Sequence, residues 1–177
     1  DRALYPWTGQ TVCVKELICP TYPKPRYSSY RWLQNQLASA YKISTASHRC
    51  RRLYLSRSRL GRRDIENEAE LLDLLLGRGF EIVHPEELSV KQQFMIFQEA
   101  EIVLGPHGSA FTNVIFAEEI HVIEFFGEIV PLGFFKYSLV MGHHYQPLFC
   151  SGGKAKNDPI GVPVGLLEKK LNEIKIV

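Results

Sequence analysis

Residues 101–126, which read EIVLGPHGSAFTNVIFAEEIHVIEFF, constrain the fold of this chain more than any other stretch. The apolar, β-branched segment EIVLG is too short for a buried helix and predicts a strand. GPHG breaks the chain, and Ser109 can cap a short amphipathic helix that leads to a second apolar strand, HVIEFF. The free N–H groups at such a helix start can bind a phosphate or carboxylate, and the helix dipole adds about 0.3–1 kcal/mol. The stretch therefore predicts an anion-binding turn of the kind that holds nucleotide phosphates.

Two more strand-and-helix units precede this turn. The first has a strand at residues 52–56 and a helix for which Asn67 and Glu70 can form a capping box. The second has a strand at residues 80–84 and a helix that begins after Ser89 with another capping box. Strands that alternate with helices in this way form a parallel sheet through right-handed crossovers. We predict an α/β fold, a Rossmann-like parallel sheet with helices on both faces.

The remaining segments suggest how the chain is divided. Residues 1–48 are rich in proline and aromatic residues, and are expected to be a wrapping segment followed by a helix at residues 30–41. Residues 49–177 form the predicted Rossmann-like domain. Because the chain opens at Asp1 without a leader sequence, we expect an amino-terminal partner domain upstream. The predicted domain ends with a helix at residues 134–142, a strand at 145–149, a polar surface loop at 151–159 and an amphipathic helix from Val164.

Composition excludes several classes of protein. A formal charge of +2 and an apolar content of 45% describe a globular chain, neither a disordered tail nor a uniformly basic nucleic-acid coat. The sequence has no run of about 18 apolar residues, so no membrane span is predicted. The four cysteines show no CxxC spacing, which favours free thiols, and there is no Asn-x-Ser/Thr sequon. We expect a cytoplasmic protein, with membrane association of a longer protein as the alternative.

Seven arginines lie between residues 49 and 63. Each presents a planar fork of donors that matches phosphate oxygens, and a charge-assisted hydrogen bond contributes about 1.5–3 kcal/mol. Arg57 directly follows the first strand and is the best candidate to bind a diphosphate, with Arg62 or Arg63 as the second choice. The arginine loop and the anion-binding turn both leave carboxyl ends of strands, and we expect them on the edge where parallel sheets bind ligands. A solvated basic loop is the alternative.

Two side chains near the anion-binding turn are candidates for chemistry. His107 lies on the turn itself, where an imidazole can donate to a phosphate or to a departing oxygen; a structural loop histidine is the alternative. Glu124 lies within an apolar strand, and a buried carboxylate needs a partner. A ribose hydroxyl pair and an intramolecular arginine are both candidates for that partner.

Other chemistries have little support in the sequence. Ser109 lacks the Gly-x-Ser-x-Gly context of a hydrolase nucleophile. His143 and His144 are adjacent and have no carboxylate at helical spacing, so we predict no metal site. A nucleic-acid interface requires aromatic residues interleaved with the arginines, and only Tyr54 is interleaved, inside a predicted strand. We therefore expect no nucleic-acid partner.

Several of these segments together resemble the catalytic domain of glycosyltransferase family 61. They are LYLSRS, IENEAELL, GFEIVHPEELSVKQQ and GPHGSAFTNVIF, with HVIEFF after the last, all within residues 50–130. The resemblance implies an inverting transferase that needs no metal and takes a sugar from a nucleotide-sugar, usually a UDP-sugar, for a glycan or polysaccharide acceptor. It also implies a GT-B architecture of two facing Rossmann-like domains, of which this chain would be the carboxyl-terminal, donor-binding half.

The resemblance also implies roles for particular residues. Arg57 matches the family's arginine at the donor phosphates, and Asn67 with Glu68 matches its Asn-Glu pair. We expect Arg57 and His107 to be catalytic, because both can stabilise the charge on a leaving diphosphate. The expected donor-binding residues are Arg57, Arg62, Asn67, Gly105, His107, Gly108, Ser109, Asn113 and Glu124. No acceptor-activating base is identifiable. A Rossmann-like module that binds a nucleotide or an anionic glycan without catalysis is the alternative function.

Overall fold

A computed structural model describes residues 26–43, 49–59, 61, 64–155 and 157–174. Most of the predicted wrapping segment lies outside these residues, and so do Arg62 and Arg63. The helix expected at residues 30–41 is present as α1, Tyr27–Tyr41.

A five-stranded sheet forms the centre of the described structure, and every strand in it runs parallel to its neighbours. Its order is β2-β1-β3-β4-β5. The strands are β1 Arg51–Leu55, β2 Phe80–Val83, β3 Ala100–Pro106, β4 His121–Phe126 and β5 His144–Phe149. A short antiparallel ribbon follows, formed by β6 Ser151–Gly152 and β7 Ile160–Gly161. The predicted parallel α/β sheet is confirmed.

Helices cover both faces of the sheet, as predicted. Besides α1 they are α2 Glu68–Gly77, α3 Val90–Gln98, α4 Gly133–Met141, α5 Val164–Glu173, and the 3₁₀ helices Pro85–Glu87 and Ser109–Phe116. On one face, α2 and α5 bury leucines against Tyr54, Leu104 and Ile123 of the sheet. On the other face, α1, α3, α4 and the 3₁₀ helix Ser109–Phe116 pack against Leu53, Val103 and Val122. None of the helices in the described ranges combines the length and apolarity needed to cross a bilayer.

The two predicted capping boxes have different outcomes. The one at Ser89 is confirmed, because its hydroxyl accepts from the Gln92 N–H while the Gln92 side chain accepts from the Ser89 N–H. The one at Asn67 is wrong. Its amide instead donates to the Val162 carbonyl at 2.9 Å and accepts from the Val162 N–H at 2.9 Å. A tertiary backbone partner thus replaces the local cap at the start of α2.

The helix after the GPHG loop also differs from the prediction. It is a 3₁₀ helix, and its first residue is Ser109, with no side-chain cap. Its first backbone bond runs from the Phe111 N–H to the Gly108 carbonyl at 3.0 Å, so Gly108 occupies the capping position predicted for Ser109.

The order of the strands determines where a ligand can enter. From β1 the chain crosses to β2 on one side, and it then returns to place β3 on the other side of β1. The crevice beyond the carboxyl ends of β1 and β3 is therefore a topological switch point, where open parallel sheets bind ligands. Arg57 and His107 follow these two strands.

Candidate functional site

Arg57 is buried at the carboxyl end of β1, with 9% of its surface exposed. Its guanidinium lies against Gly108, so closely that a Cβ atom on Gly108 would overlap Nη1. The residue before it, Ser56, extends the sheet because its N–H donates to the Val83 carbonyl at 2.9 Å. Arg57 and Gly108, both predicted for the site, are about 50 positions apart in the sequence. The structure brings them together on the expected edge of the sheet.

The other arginines of the cluster are dispersed. Arg51 pairs with Glu81 and Glu99, while Arg52 pairs with Glu101 and donates to the Arg78 carbonyl. Both lie at the beginning of β1, away from the carboxyl edge. The remaining described members are Arg49, which donates to the Glu118 carbonyl, and Arg59, which pairs with Glu87. Ion pairs within the fold thus account for three of the five described arginines of the cluster, Arg51, Arg52 and Arg59.

The Asn-Glu pair at the start of α2 is used within the fold. Asn67 binds the Val162 backbone through both ends of its amide. Glu68 accepts at 3.3 Å from the hydroxyls of Tyr54 and Ser56, which ties α2 to the end of β1. Burial, reinforced by the charge of Glu68, raises the pKa of Tyr54 well above its ordinary value. The pair therefore supports the backbone from which Arg57 extends.

His107 lies directly beyond β3 and makes a short contact with Glu124 of β4. Its Nδ1 is 2.5 Å from Glu124 Oε1, and the carboxylate is completely buried. The second carboxylate oxygen accepts from the Tyr145 hydroxyl of β5 at 2.6 Å. The partners of Glu124 are thus a histidine and a tyrosine, neither of which was among the two candidates, a ribose hydroxyl pair and an intramolecular arginine.

Aromatic rings hold the imidazole of His107 from two sides. The Phe126 ring stacks on it with centroids 5.5 Å apart, and the Phe134 ring lies at 5.2 Å. Phe126 is the last residue of β4, and Phe134 belongs to the first turn of α4. The two rings thus restrict the plane of the imidazole, and the contact with Glu124 orients its Nδ1 edge.

A cavity of about 460 Å³ opens beside His107 at the carboxyl ends of β3 and β4. This volume falls within the range of small-molecule sites. Most of its lining is apolar, and the titratable side chains are those of His107 and Asp158. The residues that line it are Pro106, His107, Phe125, Phe126, Gly127, Ile129, Pro131, Gly153, Ala155, Asp158 and Ile160.

Close backbone packing shapes one wall of this cavity. Gly127, just after β4, approaches the β6–β7 ribbon so closely that a Cβ atom there would lie 2.7 Å from both the Gly152 carbonyl oxygen and the Gly153 Cα. The Asp158 carboxylate accepts from the Ala155 N–H at 2.7 Å, which fixes the turn of the ribbon. Residues 151–159 were expected to be a plain surface loop, whereas they contain β6 and part of the cavity wall.

Three other predicted donor-binding residues have identifiable surroundings. Gly105 has φ 153°, and a Cβ atom on it would lie 2.7 Å from the Leu55 carbonyl oxygen, so it permits β3 and β1 to pack closely. Asn113 donates to the side chain of Gln93 on α3 at 2.7 Å and does not line the cavity. Ser109 is exposed at the start of the 3₁₀ helix.

Sequence reasoning missed Tyr145, Phe134 and Asp158 as members of this site. A signal existed for Tyr145, because a carboxylate in an apolar strand requires donors from neighbouring strands. Identifying the donor required the order of the strands, which places β5 beside β4. Phe134 and Asp158 lie on elements whose approach to β4 depends on tertiary packing, and no local pattern marks them.

The described residues contain no group of three or more histidine, cysteine or acidic side chains arranged to hold a metal ion. His143, one of the adjacent pair, is buried, with Nε2 2.9 Å from the Val114 carbonyl oxygen. Burial lowers its pKa to about 4, so the ring is neutral near pH 7. His143 therefore stabilises the fold, away from the cavity beside His107.

Comparison with protein families identifies one match. The model of the glycosyltransferase 61 family matches residues 2–123, well over half of the chain. The matched range includes Arg57, the GPHG loop and the 3₁₀ helix, and it ends one residue before Glu124. A comparison with curated proteins found no match.

Proposed function

The chain belongs to the glycosyltransferase 61 family, and we propose that its parallel sheet binds the nucleotide-sugar donor, of the UDP-sugar class, in an inverting transfer to a glycan or polysaccharide acceptor. One observation carries this proposal. The loops after β1 and β3 place the buried Arg57 against Gly108, and His107, the residue before Gly108, lines a cavity. A diphosphate requires several hydrogen-bond donors, and at this topological switch point Arg57, His107 and the backbone beside Gly108 can provide them.

The diphosphate would bind in the crevice between the two loops. Arg57 can approach two phosphate oxygens through its planar fork. The first N–H groups of the 3₁₀ helix at Ser109–Phe116 have no carbonyl partner within the helix and can donate to the same ligand. The absence of a side chain at Gly108 leaves room for the guanidinium, and with it for close approach of the phosphates.

The cavity beside His107 suits the nucleoside of the donor. A sugar presents hydroxyls on most of its surface and needs several polar partners, because unsatisfied polar groups are costly to bury. The lining instead offers apolar contacts from residues such as Pro106, Ile129 and Pro131, which can pack on the faces of a base. Asp158 is the acidic side chain of the lining and can accept from the ribose hydroxyls.

The proposed mechanism is electrostatic. As the bond between the anomeric carbon and the diphosphate breaks, its electron pair passes to the leaving oxygen, and Arg57, the 3₁₀ N–H groups and His107 stabilise the new charge. The acceptor oxygen attacks from the opposite face and loses its proton to a general base. The proposal assigns that base to the acceptor-binding domain of a GT-B architecture. Arg57 and His107 then serve in place of a divalent metal ion.

A ligand panel tests this function. The 177-residue chain is titrated with UDP, UMP, GDP and pyrophosphate in buffer that contains EDTA. The proposal predicts that UDP binds most tightly and that UMP is weaker because it lacks the β-phosphate, while GDP reports how far the site discriminates between bases. Equal affinity for UDP and pyrophosphate would contradict a nucleoside site. A folded chain that binds none of the four would contradict the donor-binding role.

A further inference from the structure

Glu124 is fully buried, yet it lies in an apolar strand at the site. One oxygen is 2.5 Å from His107 Nδ1, and the other accepts from Tyr145 at 2.6 Å. Because a buried carboxylate is costly without such partners, these two bonds account for its presence. A ligand at the surface of the site cannot reach a side chain with no exposed area, so Glu124 contributes to the site through His107.

The Glu124 contact determines which ring nitrogen of His107 serves the ligand. When Nδ1 donates to the carboxylate, Nε2 lies on the edge of the ring that faces away from Glu124. A ring flip would place the Cδ2 carbon where Nδ1 now contacts Glu124 and would remove the short bond. We propose that Tyr145 and Glu124 are positioning residues, which orient His107 so that its Nε2 meets the donor's diphosphate; this rests on the proposed function.

The same arrangement explains how His107 can act on an anion. When both ring nitrogens carry a proton, Nδ1 donates to Glu124 and Nε2 donates to a phosphate oxygen. The carboxylate then balances the charge of the ring, as a buried acidic residue does for a catalytic histidine.

Tyr145 completes the arrangement from the edge strand β5. Its ring packs edge-on against Phe135, with centroids 5.3 Å apart, and its hydroxyl holds the second oxygen of Glu124. Burial, together with the hydrogen bond to Glu124, raises the pKa of Tyr145 well above its ordinary value. The hydroxyl therefore remains a donor throughout the pH range in which proteins are studied, and it keeps the carboxylate from rotating away from His107.

Nitrogen-15 NMR of the histidine rings tests the positioning directly, in the chain without ligand. We expect one ring to show a strongly downfield Nδ1-bound proton, and His107→Asn to remove that signal. Glu124→Gln keeps the shape of the side chain but removes its charge, and it should shift the signal upfield. Tyr145→Phe removes one oxygen atom and should broaden or shift the same signal. Tyr137→Phe, in the neighbouring aromatic cluster, is the matched control and should leave it unchanged.

Affinity for UDP provides the second readout. Tyr145→Phe should weaken UDP binding by about 3- to 10-fold, the range expected for one hydrogen bond, and Tyr137→Phe should not. An unchanged ring signal in both the Glu124 and the Tyr145 variants would overturn the inference, and so would a shifted signal with unaltered UDP affinity. A wild-type chain that shows the ring signal but binds no UDP would instead identify the proposed function as the part that fails.

Discussion

Gly108 lies against the guanidinium of Arg57, and a Cβ atom on residue 108 would overlap Nη1. The backbone of Gly108 is extended, with φ 174°, so its conformation suits any residue. Space for Arg57 is therefore the reason for glycine at this position. Gly108→Ala should leave the chain folded, because the end of a flexible side chain can move, but it should displace the arginine from the site.

The Gly108→Ala variant should bind UDP about 10-fold more weakly, which corresponds to one lost charge-assisted hydrogen bond. Titration calorimetry measures the affinity, and thermal unfolding verifies that the fold is retained. Gly165→Ala is the matched control, since a Cβ atom at Gly165 would meet nothing within 4 Å. Wild-type affinity in the Gly108 variant would show that the position of Arg57 does not matter for the ligand.

Gly105→Ala should destabilise the fold by about 2–4 kcal/mol, because the new Cβ atom meets backbone and the residue has an unfavourable φ. The φ is 153°, and the clash is with the Leu55 carbonyl oxygen at 2.7 Å. Gly79→Ala separates the two causes, because Gly79 also has a positive φ of 74° but open space around it. Urea unfolding of both variants should show the larger loss at Gly105. Equal losses of stability in the two variants would mean that the contact with Leu55 adds nothing to the cost of the unfavourable φ.

The cavity should contribute to the affinity for UDP but not to the affinity for pyrophosphate. Ala155→Trp introduces a large ring at a residue that lines the cavity, and it should weaken UDP binding by about 10-fold or more while pyrophosphate affinity is unchanged. Ala155→Ser, which adds little volume, is the control. Competition between UDP and pyrophosphate in a calorimeter measures both affinities. Equal weakening of the two ligands would place the nucleoside elsewhere.

Acid should destabilise the fold through His143. Burial lowers the pKa of His143 to about 4 from an ordinary value of 6.5, so the unfolded chain takes up this proton more readily than the folded one. Neutral His143 contributes its full stabilisation at pH values above its pKa in the unfolded chain. This contribution, about 3 kcal/mol, is lost as pH falls from about 6.5 towards 4. Protonation of Nδ1 would also remove the acceptor for the Ile120 N–H.

Unfolding free energies at pH 7 and pH 4.5 measure this effect. His143→Gln should reduce the difference between the two pH values, because glutamine does not titrate. His84→Gln, at the end of β2, is the control and should retain most of the wild-type difference. The same pH dependence in the wild type and in His143→Gln would show that other groups cause the acid sensitivity.

The fold was predictable because strand and helix periods appear directly in the sequence. Each predicted strand-and-helix unit in the described ranges is present, and the alternation of strands and helices is enough to predict a parallel sheet. The capping box at Ser89 was also predictable, because both partners are local. The capping box at Asn67 was not, since the Val162 backbone competes for the same amide from a distant part of the chain.

The site was predictable only in part. Arg57 and His107 could be identified because each directly follows a strand, and strand ends meet at one edge. The pairing of Arg51 with Glu81 and Glu99 depends on the register of neighbouring strands, which the arginine cluster alone does not reveal. In the same way, the role of Tyr145 depends on which strand lies beside β4.

Titration calorimetry of UDP with the wild-type chain and with Arg57→Ala, both in EDTA, tests the central claim most directly. Arg59→Ala, which removes an exposed arginine of the same loop, is the control. The account predicts that Arg57→Ala weakens UDP binding by about 10- to 150-fold, the equivalent of about 1.5–3 kcal/mol, while Arg59→Ala binds as the wild type does. Unchanged UDP affinity in a folded Arg57→Ala chain would contradict the assignment of the diphosphate site.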